Sequence, residues 1–71
     1  MTYLEFKQRV ESSLSANIRG LTWRELKVIA RLPYARPCPN WTARLEAEIG
    51  LVRERTSGNT KTWRLADATH R

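Results

Sequence analysis

Thr42-Ala43-Arg44-Leu45-Glu46-Ala47-Glu48-Ile49-Gly50-Leu51-Val52-Arg53-Glu54-Arg55 runs through Thr56-Ser57-Gly58-Asn59-Thr60 into Lys61-Thr62-Trp63-Arg64-Leu65, and this stretch decides how the chain is read. The part up to Ile49 has helix-forming composition, and Gly50 follows where helices commonly end in a left-handed residue. Residues 51–55 and 61–65 read as two strands, with turn-forming residues between them. Trp41, Leu45 and Ile49 stand at i, i+4, i+8 and are expected to face a core from a helix near 40–49. Asn40, Ala43, Arg44 and Ala47 then point outward, with Thr42 and Glu46 at the margins. In the hairpin, Leu51, Trp63 and Leu65 complete the core, leaving Arg53, Arg55, Lys61 and Arg64 toward solvent. The register is open by one residue, because the loop has room for two or three; a three-residue loop would set Arg53 across from Trp63 as a cation–π pair.

Upstream, Pro33, Pro37 and Pro39 forbid regular structure between residues 33 and 39. Pro39 and Asn40 suit a helix start, with proline at the first position and asparagine at the cap. Thr22-Trp23-Arg24-Glu25 matches a capping box, so a second helix is expected from Trp23 to about Arg31, stopped by Pro33. Leu26, Ile29 and Ala30 are its expected buried face. Arg24, Lys27 and Arg31 would form one exposed cationic stripe at i, i+3, i+7, free to touch phosphates or only water. Thr2-Tyr3-Leu4-Glu5 is another capping box, and Tyr3, Phe6, Val10 and Leu14 give the apolar stripe of a first helix over 3–16. Arg19-Gly20 reads as a turn, and Leu21 has room for a strand of one or two residues.

Seventy-one residues allow one small domain, which buries only about 60% of its unfolded surface and leaves little room for an enclosed active site. Residues 1–66 are read as that domain and 67–71 as a frayed tail. A single cysteine excludes an internal disulfide. No apolar run approaches the roughly 20 residues of a membrane span, and residues 1–15 lack a signal-peptide layout. Beginning at Met1, the chain is expected to be a complete cytosolic product.

The net charge is +6. Lys7 and Arg9 balance Glu5 and Glu11 in residues 1–18, and Arg71 balances Asp67 in residues 65–71. The whole excess therefore lies in residues 19–64, an electrostatic footprint for a polyanion. A merely solvated arginine-rich surface is the plain alternative.

A short helix that feeds through Ile49-Gly50-Leu51-Val52 into a basic ribbon closed by Trp63-Arg64-Leu65 resembles the winged helix-turn-helix DNA-binding superfamily. The resemblance implies an α+β fold with three helices and a C-terminal two-stranded β-hairpin wing. It implies that the third helix enters the major groove of double-stranded DNA through Asn40, Thr42, Ala43, Arg44 and Ala47. These side chains are short enough for close approach, and Arg44 is the one long donor, suited to guanine. Arg53, Arg55, Thr60, Lys61 and Arg64 of the wing would lie on the backbone, with Arg24, Lys27 and Arg31 as further phosphate contacts. Two features depart from the superfamily. The turn between the second and third helices is longer than usual, and Glu46 stands where a leucine often precedes the hinge glycine.

Catalysis finds little support. His70 is the only histidine and lies in the tail, and Cys38 sits between two prolines without a histidine near it. No metal or cofactor is expected. The expected function is DNA binding without enzymatic activity, as a transcriptional regulator or small architectural factor, cytoplasmic and nucleoid-associated. A homodimer or a protein partner stays open. The alternative is a protein-interaction module built on an aromatic patch around Trp23 and Tyr34.

Overall fold

The computed structural model describes residues 1–58 and 60–66. They form α1 (Tyr3–Ala16), β1 (Leu21–Thr22), α2 (Trp23–Ile29), α3 (Pro39–Glu48), β2 (Leu51–Ser57) and β3 (Thr60–Leu65). The strands make one antiparallel sheet in the order β1-β3-β2. The hairpin expected as a two-stranded unit is thus part of a three-stranded sheet, because Leu21 and Thr22 pair with Trp63 and Thr62. Gly20 makes that pairing possible. Its φ is +96°, and a Cβ there would stand 2.5 Å from Thr62 Cγ2 and 2.9 Å from the Trp63 carbonyl. Only glycine tolerates both the backbone conformation and the approach.

Helix α1 covers the range its apolar stripe indicates, and Phe6, Val10 and Leu14 are buried. The Thr2 hydroxyl accepts from the Glu5 amide at 3.1 Å, satisfying one free donor of the first turn. In α2 the capping box is complete: Thr22 Oγ1 accepts from the Glu25 amide, and the Glu25 carboxylate accepts from the Thr22 amide at 2.9 Å.

Helix α2 ends earlier than the prolines suggest. Arg31 takes a left-handed φ of 55°. The Leu32 amide then donates to the Lys27 carbonyl at 2.8 Å and the Arg31 amide to Val28 at 3.3 Å, the two bonds of a Schellman stop. The reversal carries Leu32 into the core at 7% exposure and leaves Ile29, expected on the buried face, 52% exposed. Arg9 reinforces the stop by donating to the carbonyls of Ala30 and Arg31.

Pro39 occupies the first turn of α3 as expected, but Cys38, not Asn40, is the N-cap residue, and it offers no side-chain cap. Leu45 and Ile49 reach the core, which they share with Leu51, Trp63 and Leu65 of the sheet. The proline-rich link is held by rings. The Trp23 indole N–H donates to the Ala35 carbonyl at 3.0 Å, and Tyr34 packs edge-on against Phe6 and Trp41 with centroids 6.1 and 5.9 Å apart. No described helix is long and apolar enough to cross a membrane. The tail 67–71, with His70, lies outside the described residues, as does Asn59.

Candidate nucleic-acid interface

One surface of α3 is free. Asn40, Ala43, Arg44 and Ala47 are exposed along it, as their helical spacing requires. Thr42 does not belong with them. It is 1% exposed, and its hydroxyl donates to the Cys38 carbonyl at 2.8 Å. Starting the helix at Pro39 leaves that carbonyl beside Thr42 one turn on, and the threonine turns inward to meet it.

Both margins of this surface carry a glutamate, and each is neutralised. On the sheet side, Arg53 donates to Glu46 at 3.2 Å. On the α1 side, Glu48 accepts from Tyr3 Oη at 2.9 Å, Lys7 Nζ at 3.0 Å and Arg44 Nε at 3.2 Å. The Arg44 guanidinium also lies 3.8 Å above the centre of the Tyr3 ring. Hydrogen bonds from Lys7, then Tyr3, hold the Glu48 carboxyl below its ordinary pKa, and Arg44 adds to this. Burial, with the adjacent Glu48 as a further cause, pushes the Tyr3 hydroxyl up.

Strand register sorts the hairpin cations into two groups. Leu51 pairs with Leu65, Arg53 with Trp63 and Arg55 with Lys61. Arg53, Arg55 and Lys61 therefore share the face that carries the core residues Leu51, Trp63 and Leu65, and they continue it beyond the core. The Arg53 guanidinium sits 5.6 Å from the Trp63 ring centre. Arg64, expected among the solvent-facing backbone contacts, occupies the opposite face. It is paired there with Glu54 one step along the ladder. The period of two gives the reason, since Trp63 and Leu65 point into the core on either side of it.

Arg24, Arg53 and Lys61 line one open cleft of about 730 Å³ between the start of α2, the α2–α3 link and the hairpin. Thr22 and Thr60 supply hydroxyls to its wall, and Trp23, Trp63 and Pro37 supply apolar surface. Lys27 and Arg31 are not part of it. The expected cationic stripe is broken because α2 ends at Ile29. Arg31 lines a separate shallow groove with Arg9 and Ile29 between α1 and α2. Among the described residues Arg24, Arg55 and Lys61 have no carboxylate partner.

Trp23 and Tyr34 do not form the exposed aromatic patch of the protein-contact alternative. Both are half-buried, Trp23 against Trp63 with centroids 5.1 Å apart, and Tyr34 against Phe6. Four contributors carry no local signal in the sequence. Thr22 and Pro37 enter the cleft only through tertiary packing, and Tyr3 and Lys7 reach Glu48 from more than forty positions away. The pair of Arg44 with Glu48, at i, i+4, is the one part of that cluster that local spacing fixes.

No family model matches the sequence, and no curated protein or solved structure is significantly similar to it.

Proposed function

We propose that the chain is a winged-helix protein that binds duplex DNA, with the exposed surface of α3 in the major groove and the inner face of the hairpin, its wing, on the sugar–phosphate backbone. The element order and the sheet order β1-β3-β2 support the winged-helix reading. The observation that carries the function is the convergence of Arg24, Arg53 and Lys61 on one cleft beside the start of α3. Three chain segments bring cations to one place, which is how a phosphate backbone is gripped in a fixed register. The small residues Ala43 and Ala47 let the helix axis approach base edges. A role as transcriptional regulator or as small architectural factor fits this surface equally.

Binding of a labelled random-sequence duplex, followed by fluorescence anisotropy at several salt concentrations, tests the proposal. With Arg24, Arg53, Arg55 and Lys61 as the phosphate contacts, log K falls against log salt with a slope of about −3 to −4. Absence of binding at about 50 mM salt, where attraction between exposed charges is strong, overturns the reading.

A second reading keeps one specific observation. Val28 is 69% exposed beside Ile29 on α2, away from the cleft, and such neighbours suit a contact with another protein.

A further inference from the structure

We infer that Glu48 and Tyr3 are positioning residues that hold Arg44 ready to read a guanine, an inference that rests on the duplex-binding reading above. An arginine that reads guanine uses its two terminal nitrogens as a parallel pair, aimed at O6 and N7. Three arginines of the described residues are paired with a carboxylate: Arg44, Arg53 and Arg64. Arg53 donates through both Nε and Nη2 to Glu46, and Arg64 through both Nε and Nη2 to Glu54. Each has committed one side of its fork. Arg44 donates to Glu48 through Nε alone. Neither of its terminal nitrogens has a hydrogen-bond partner among the described residues, and its side chain is 55% exposed.

The rest of the cluster prevents Arg44 from wandering. One face of its guanidinium is covered by the Tyr3 ring at 3.8 Å. Its anchor, Glu48, cannot swing with it, because the other carboxylate oxygen is held from α1 by Lys7 at 3.0 Å and Tyr3 at 2.9 Å. Two elements thus fix the plane of the fork before any ligand arrives. Arg44 shares the exposed side of α3 with Asn40 one turn before and Ala47 one turn after, so the fork is carried by the surface proposed to meet base edges. Freezing a long side chain in advance removes an ordering cost from the binding step and places it on the fold instead.

The test begins by selecting preferred duplexes from a random pool with the wild-type chain. Affinities for the best duplex and for its single-guanine substitutions are then compared, at one salt concentration, for wild type, Arg44→Lys, Glu48→Gln, Tyr3→Leu and Tyr3→Phe. Arg44→Lys loses discrimination at one guanine by about 5- to 150-fold. Glu48→Gln and Tyr3→Leu each narrow it by about two- to tenfold, while affinity for random duplex does not fall. Tyr3→Phe, which keeps the ring, retains most of the discrimination. A merely structural role for Glu48 or Tyr3 lowers both affinities together and overturns the inference. So does unchanged discrimination in Glu48→Gln and Tyr3→Leu, and so does a wild-type chain that binds duplex without sequence preference. In those three results DNA binding itself survives. Absence of wild-type binding at low salt removes the duplex reading and this inference with it.

Discussion

On the cleft side of α3, Arg24 and Lys61 are exposed with no carboxylate partner among the described residues, whereas on the α1 side Lys7 and Arg44 converge on Glu48. The two sides carry the same type of charge and use it differently. Unpaired surface cations attract a polyanion at range, and salt screens that attraction. Cations tied to a carboxylate attract little, but their geometry is set before a ligand arrives. In the proposed function the first side supplies affinity for any duplex and the second supplies sequence preference. Variants that break one side and spare the other sharpen this division.

The largest effect is expected at Gly20. Replacing it with alanine forces a side chain into a left-handed position and into Thr62 and the Trp63 carbonyl. Denaturant unfolding should show a loss of about 2–4 kcal/mol, the sum of the backbone strain and the overlap. Because β1 leads directly into the cap of α2, any folded remainder should lose the cleft arrangement of Arg24 before the Glu48 cluster.

Next in size is the double change Arg24→Ala with Lys61→Ala. Salt titration with random duplex should give a slope less steep by about 2, one for each lost phosphate contact. Sequence preference should persist, since neither residue lies on α3. An unchanged slope would place the phosphates elsewhere on the molecule.

How much of this was legible in the sequence depends on the distance over which each feature is decided. Helix α1 and the capped start of α2 follow from patterns within a few residues, and the structure has them. The hairpin register, open by one residue in the sequence, is set with Arg53 opposite Trp63 by the irregularity between Arg55 and Ser57. The exchange of Ile29 for Leu32 in the core was not legible. It turns on a left-handed Arg31, and a Schellman stop without glycine has no sequence signature. Thr42 was misplaced because a helix start one residue earlier gave its hydroxyl a partner. Arg64 is a different case. The alternation of Trp63 and Leu65 already contained the answer, and reading the strand strictly by twos would have put Arg64 on the far face. The Glu48 cluster lay beyond any local pattern, since Tyr3 and Lys7 belong to the opposite end of the chain.

Within the Glu48 cluster, the two shifted groups respond to pH with opposite signs. Lys7, Tyr3 and Arg44 lower the folded-state pKa of Glu48. The stability this group contributes is present above its ordinary carboxylate pKa and is lost as pH falls through the lowered value. Tyr3 has a raised folded-state pKa, so its contribution is present below the ordinary phenol value near 10 and is lost as pH rises through the raised one. Denaturant midpoints of wild type and Glu48→Gln should therefore differ at neutral pH and converge on acidification. A gap that stays constant into acid would show that the carboxylate charge is not what the cluster uses.

The smallest effect is expected for Arg64→Ala. Arg64 pairs with Glu54 on the sheet face away from the cleft, and both side chains are partly exposed. Stability should change by less than about 1 kcal/mol and the salt slope should not change. A slope reduced as much as by Lys61→Ala would mean that both faces of the hairpin meet the ligand.

The most direct test of the proposed division is a backbone amide chemical-shift map of the isotope-labelled protein on titration with duplex DNA. Perturbations are expected at Arg24, Thr60 and Lys61 from random duplex, joined by Asn40, Ala43, Arg44 and Ala47 with a preferred sequence. Gln8, Ser12 and Arg64 should stay still in both. Shifts centred on Val28 to Arg31 and the α1–α2 groove, with the cleft and α3 unmoved, would contradict it.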